Sequence, residues 1–454
     1  MMEAKRRDYP WRRSRRRLLL AVFGLAGAAA LGLAALNWRG ESSIREEVAG
    51  IRAKGEPVTP EEVADRFPAP APAEDAALSY GRAGETLKAA VSDQAYRDRV
   101  QAVNEHPAGA RFSGELHQWM EGYLAEHAEG LRLLHEAAKR PPVRFNLDLR
   151  RGFEAPLPNL LELRGSAQLL QLEAYVAAEN GDGALAADAV LAALAMDAVM
   201  RDSPILIMQM IRLALRGMAC ETVRRILPMG VLSEAQLASI QDALAETYNP
   251  EALTNALIGE RAMGLHALNH PQQFLPQLRD ADRWFPGAGS LAAGVVRMSM
   301  TAGGDRERYL RLMTRMVDAS RLPVPEALAR MGEIGGDIVR ERRLLPNMAD
   351  MIIPNLLRCE IQQAKGDAFL RCAMAALATE RFRLAEGRLP ADLRELTPVF
   401  LPAVPQDPFD GGPLRFFADE QVLTLYSIGE NLVDDHGAAD NQLDVVFTLA
   451  LSAP

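Results

Sequence analysis

The densest chemistry in the sequence lies near its end. Between Gly429 and Val445 stand Glu430, Asp434, Asp435, Asp440 and Asp444, and no Lys or Arg follows Arg415. Carboxylates crowded into one loop repel each other unless water or a cation lies between them. An all-oxygen donor set suits a hard cation, Ca²⁺ rather than Zn²⁺, and the spacing is not that of an EF-hand. A solvated acidic loop is the plainer alternative.

Other reactive residue types are sparser. His266 and His270 sit at i, i+4 with Glu260 upstream, a spacing that can present two metal ligands on one helix face. No third ligand is apparent and Pro271 stops the helix, so a structural role is expected. His117, His127 and His135 share no face. Cys220, Cys359 and Cys372 form an odd set without C-x-x-C. If Cys359 and Cys372 lie on one helix they are about 20 Å apart, too far to bridge, so buried thiols are expected. H-E-x-x-H, G-x-S-x-G, Walker A and G-x-G-x-x-G are all missing. An enzyme would have to place its site in a groove of the helical region, around Glu260, Arg261 and His266.

Helical periodicity dominates the chain between these groups. It predicts helices over 78–103, 113–139, 156–180, 184–200, 205–226, from Ser233 onward, up to about Leu268, over 306–320 and 325–342, and a long one from about Pro354 to Glu386. Leu160, Leu163, Ala167, Leu170 and Ala174 step by three and four along one face. Ser233 and Gln236 form a capping box. The segments at 184–200 and 205–226 are very apolar. They also contain Asp188, Asp197, Arg212 and Arg216, and each such charge costs about 2.5–3.5 kcal/mol at a membrane centre. They are expected to be core helices of a bundle, with these charges and Arg164 pairing as a structural network or lining a polar groove. Short breaks suggest antiparallel hairpins stacked as in an α-solenoid. The pair across Gly181-Asp182-Gly183 resembles a tetratricopeptide-type hairpin, but no 34-residue repeat occurs, so only "TPR-like" is warranted. The region also resembles uncharacterised membrane-anchored bacterial proteins with a phrase like Gly259-Glu260-Arg261.

The stretch from Leu18 to Leu36 carries no charge, and nineteen helical residues rise about 28 Å, close to a bilayer's hydrocarbon thickness. Residues 1–17 hold eight Lys and Arg against Glu3 and Asp8, a net +6; the whole chain is −9, leaving −15 for the rest. Basic flanks stay cytoplasmic. The expectation is a single-pass anchor in a bacterial inner membrane, N-terminus in the cytoplasm and the bulk periplasmic. A cleaved signal peptide is the rival, but the run is long and Ala34-Ala35-Leu36-Asn37 is a poor cleavage site. Ser14-Arg15-Arg16-Arg17-Leu18-Leu19 resembles a twin-arginine export signal, although a positive-inside cluster is the plainer reading. Three cysteines and an acidic exterior exclude a disulfide framework and argue against a nucleic-acid partner. Gly40 to Ala73 reads as a stalk, with a short helix starting at Thr59-Pro60 and a polyproline spacer at Pro68, Pro70 and Pro72.

After Gly387 the period changes. Leu414–Phe417, Val422–Tyr426 and Val445–Leu449 alternate as three strands, giving a small α+β unit. The phrases Gly387-x-Leu389-Pro390, Leu401-Pro402-x-x-Pro405-x-Asp407-Pro408-Phe409, Pro413-Leu414-x-Phe416 and Tyr426-Ser427-x-Gly429, with the Asp-rich loop closing at Asp444-Val445, occur in order. Together they resemble the C-terminal half of the type II secretion major pseudopilin, over about a sixth of the chain. The pilin N-terminal hallmark is missing, so processing and polymerisation as a pilin are not implied. The resemblance implies a structural Ca²⁺ held by Asn431, Asp440 and Asp444 with a backbone oxygen near Ser427, and Asp434 and Asp435 outside them. His436 stands where the family tends to have Gly.

The expected architecture is therefore mainly α. It comprises a basic segment (1–17), a transmembrane anchor (18–36), a stalk (37–77), a helical-repeat-like domain (78–350), and a long helix with a pseudopilin-like β unit (351–454). The expected role is an extracytoplasmic interaction or scaffold protein with a protein or peptide partner, beside a secretion-type assembly. An envelope enzyme and a pure tether are the alternatives.

Overall fold

The computed structural model describes residues 40–71, 75–270, 304–341, 348–418, 422–438 and 444–450. The apolar run 18–36, the Gly-rich stretch 287–300 and Asp440 lie outside them. Among the described residues no helix is long and apolar enough to cross a membrane.

Among the described residues the chain is mainly helical, with one small sheet near the C-terminal end. In order the helices are α1 (40–53), α2 (Pro60–Arg66), α3 (Arg82–Ser92), α4 (Gln94–Glu105), α5 (Gly114–Glu126), α6 (Ala128–Ala138), α7 (Leu160–Glu179), α8 (Gly183–Ala198), α9 (Leu206–Ile226), α10 (Glu234–Glu246) and α11 (Ala252–Asn269). Then come α12 (Gly304–Ala319), α13 (Val324–Arg340) and the 39-residue α14 (Met348–Glu386). Strands β1 (Arg415–Ala418), β2 (Val422–Ser427) and β3 (Val445–Ala450) follow.

Local signals explain most boundaries. Thr59 caps α2 by accepting from the Glu62 amide at 3.3 Å, ahead of Pro60. The Ser233–Gln236 capping box is present at α10. The expected helix over 78–103 is instead two, entered through one π-helical turn at Ala77–Gly81. Asp93 restarts the chain by capping α4. The expected 113–139 helix also divides, at His127, with φ −105° and ψ 23°. No Gly or Pro marks that break; the His127 ring stacks on Tyr123 at 4.2 Å, so the kink is a packing choice. Pro354 lies inside α14 rather than at its start, because the turn before it is held by the buried Ala349 and Ile353.

Helices α7, α8 and α9 pack against one another at the centre. Gly181, at φ 80°, closes α7 and Asp182 caps α8. A Cβ on Gly183 would collide with the Val231 carbonyl, so only glycine fits this hairpin. Helix α7 is buried around nearly its whole circumference between Leu163 and Ala178, not on one face. Helix α14 runs across the molecule, touching α9, α10, α12 and α13 and then β2 and β3.

The sheet is antiparallel in the order β1-β2-β3, with Phe416 opposite Leu425 and Leu425 opposite Phe447. Leu423, Leu425, Phe447 and Leu449 form its buried face, and Phe447 meets Phe369 of α14 at 5.4 Å. Burying such a ring contributes about 1.5–3 kcal/mol. One apolar cluster contains these residues together with Leu377 of α14 and the central helices as far back as Val63. A second joins α11, α12, α13 and the start of α14. Residues 40–66, expected as a stalk, are part of this body. Ile51 and Val58 are buried against Leu265 and Leu310, since an amphipathic α1 finds an apolar surface at hand.

Candidate functional site

Three of the motif phrases of the C-terminal unit, those around Asp407, Leu414 and Ser427, meet at one junction. The Asp407 carboxylate accepts from the Phe409 amide at 2.9 Å, the Ser427 hydroxyl at 2.7 Å, the Ile428 amide at 3.0 Å and Arg415 Nη1 at 2.6 Å. The side chain is 0% exposed. The Leu414 amide donates to the Pro405 carbonyl at 2.9 Å, and Arg415 also holds Asp410 at 2.6 Å. A buried carboxylate with four donors is satisfied, so this centre is structural: it ties the Pro-rich loop to the end of β2.

The acidic loop follows from that end. Leu432 and His436 both have positive φ, the latter 57° where glycine would be unstrained. Asp434 accepts from the Tyr426 hydroxyl at 3.1 Å and the His436 amide at 2.9 Å. Asn431 donates to Asp435 at 2.8 Å, and Asp444 accepts from the Gly437 amide at 2.8 Å. Asp444 is 5% exposed, and its Oδ1 has no partner among the described residues. Burial raises its pKa, against the backbone amides of Gly437 and Asp435, which favour the charged form. Among the described residues no three His, Cys, Asp or Glu converge to hold a metal. The oxygen donors and the orphaned Asp444 Oδ1 nevertheless match a hard cation chemically.

In the helical body Glu260, Arg261 and His266 face different neighbours, since offsets of one, five and six residues all turn to different sides of a helix. Arg261, 1% exposed, pairs with Glu56 at 2.6 Å. Burial works against the Glu56 charge, but Arg261 and Arg321 outweigh it and hold its pKa low. Burial pushes Glu260 up to about 7. Cys359 of α14 rises to about 11 through burial and the neighbouring Glu260 and Glu360. The His266 and His270 rings lie 4.3 Å apart, tilted by 33°. Gly259 is required because a Cβ there would strike the Pro204 carbonyl. His117 and His135 pair with Glu179 and Glu173 at 2.7 and 2.6 Å, structural contacts to α7.

The expected charge network is present in part. Arg212 and Asp197, each 1% exposed, approach to 3.6 Å, and Arg216 binds Asp367 at 2.6 Å. Burial raises Asp197 to about 6 against the pull of Arg212 and Arg216. Asp188 and Arg164 are exposed instead, each on the outer side of its helix. Cys220 and Cys372 are buried free thiols and Cys359 is a partly buried one.

A cleft of about 770 Å³ opens where the α10–α11 junction, the α12–α13 turn, α14 and the 406–411 loop meet. Its wall includes Tyr248, Asn255, Glu360, Gln363 and Arg371. Glu56 and Asp367 do not stand out in the sequence, because their partners are far away: Asp367 and Arg216 are 151 residues apart, Glu56 and Arg261 205. No protein-family model, curated protein or solved structure matches the chain.

Proposed function

We propose that the protein is a single-pass, membrane-anchored interaction or scaffold protein of the bacterial envelope. Residues 18–36 form the anchor, residues 1–17 lie in the cytoplasm and the helical body with its C-terminal unit lies outside it. The C-terminal unit is pseudopilin-like and serves beside a secretion or pseudopilus-type assembly, with the TPR-like α7–α8 hairpin supporting a surface for a protein partner. The observation that carries the reading is the junction at Asp407. The phrases Pro405-x-Asp407-Pro408-Phe409, Pro413-Leu414 and Ser427-x-Gly429, which carry the pseudopilin resemblance, bond to one another there. In this reading Ca²⁺ is held by Asn431, Asp440 and Asp444, with Asp434 and Asp435 outside, and the orphaned Asp444 Oδ1 supports it.

Two experiments test this. Reporter fusions before residue 18 and after residue 454, with carbonate extraction, should give a cytoplasmic N-terminus and an integral membrane protein; release by carbonate refutes the anchor. A thermal melt in Ca²⁺ and then in EDTA should show stabilisation by Ca²⁺, about 2.7 kcal/mol at a hundredfold excess over Kd. Loss of that gain in Asp444→Ala and Asp440→Ala places the ion. Equal melts in both conditions refute the calcium site.

A further inference from the structure

The cleft between the α10–α11 junction and α14 contains a carboxylate with one oxygen that has no partner among the described residues. Most charged groups on its wall are committed. Arg321 pairs with Glu56 and Asp318, and Arg371 donates to the Gln406 carbonyl at 2.6 Å and lies 5.6 Å from the centre of the Tyr248 ring. Asp367 is held by Arg216 at 2.6 Å and by Gln363 Nε2 at 2.9 Å, and Asp407 by Arg415, Ser427 and two amides. Arg66 donates to the Gly55 carbonyl at 3.2 Å, and Glu251 is exposed at the mouth.

Glu360 is different. It is 6% exposed, lines the cleft, and its Oε2 has no hydrogen-bond partner among the described residues. Burial, and then the nearby Asp367, push its pKa up to about 7. An unpaired buried carboxylate is costly, and the cost is relieved by a cation supplied from outside. Gln363 lies one turn further along α14, on the same face. Its amide nitrogen is committed to Asp367, so its carbonyl oxygen is the group left to accept. A carboxylate and an amide carbonyl one turn apart on a helix that lines the cleft suit the three donors of an ammonium; they are too few for a metal shell. The volume falls within the range of sites for small molecules or single peptide side chains.

We propose that this cleft binds an alkylammonium group, with Glu360 as its counter-charge and Gln363 as its second acceptor. The group belongs to a free aliphatic amine or to a lysine side chain of a partner. The full-length chain, purified in non-ionic detergent, is titrated calorimetrically with 1,5-diaminopentane, with the blocked tripeptide Gly-Lys-Gly and with its norleucine counterpart. Saturable binding of the diamine or the lysine peptide is expected, and the tighter of the two identifies the source. Affinity should rise from pH 6 to pH 8 as Glu360 ionises. Glu360→Gln should weaken binding about ten- to a hundredfold, the worth of a charge-assisted hydrogen bond. Glu360→Gln removes an unpaired charge and should remain folded, which circular dichroism checks; Glu251→Gln at the mouth should bind as the parent does. Equal affinity in Glu360→Gln, equal affinity for the norleucine peptide, or no saturable binding of either amine at millimolar concentration overturns the proposal.

Discussion

Replacing Asp407 by Ala should destabilise the whole chain, not just a surface loop. The side chain is completely buried and answers four donors, two of them the backbone amides of Phe409 and Ile428. Truncation leaves those amides and the Ser427 hydroxyl without an acceptor, at about 1–3 kcal/mol for each that stays dry. Arg415 is 23% exposed and keeps Asp410, so its loss is softened by solvent. Together the cost should be about 3–5 kcal/mol, the range for breaking a buried charged contact. Asp407→Asn keeps the shape but turns a donor toward donors, and should cost about 2 kcal/mol. Asp410→Asn, at a carboxylate 32% exposed, should cost less than about 1 kcal/mol. Urea unfolding followed by circular dichroism gives these values, and hydrogen exchange across 422–427 shows whether β2 opens first. If Asp407→Ala costs no more than Asp410→Asn, the junction does not hold the unit together and the reasoning fails.

Three further outcomes follow from buried groups. The Glu360 pKa rises from 4.5 unfolded to about 7 folded, so the native state binds the extra proton between those values. Stability should be highest below pH 4.5 for this group and fall by about 3 kcal/mol as pH rises through 7; in Glu360→Gln the pH dependence of Tm should flatten, and an unchanged profile would contradict the assignment. Asp197→Ala strands Arg212 in the core and should cost about 3–5 kcal/mol in a denaturant titration, whereas the double change Asp197→Leu with Arg212→Met should be neutral or stabilising; equal losses in both would show that the pair is not the issue. Gly259→Ala forces a methyl against the Pro204 carbonyl and should cost about 3 kcal/mol, read from the shift in urea midpoint, with a parent-like midpoint counting against the close approach of α11.

Much of the secondary structure was legible because its signals are local. The Thr59-Pro60 and Ser233–Gln236 caps, the Gly181-Asp182-Gly183 break and the three strands stand within a residue or two of where the periodicity puts them. The break at His127 was not, since it depends on ring packing rather than on a Gly or Pro. The fate of residues 40–66 was not legible either: charged, Pro-punctuated sequence resembles a spacer until Arg261 and Leu265 are brought beside it. Candidate chemistry fared similarly. Dense acidic residues announce themselves, whereas a single Glu360 becomes notable only once the three elements around it have closed off its water.

The shared apolar cluster also bears on the order in which this chain can reach its native state. Leu377, Leu425 and Phe447 pack into the same core as residues numbered below 200, so helices made early are completed by segments that arrive much later. A chain stopped at residue 350 leaves the faces of α9 and α10 that meet α14 open to water. Contacts across such separations slow folding and leave adhesive intermediates exposed while synthesis continues. A chain stopped before β3 should therefore aggregate rather than yield a smaller working module.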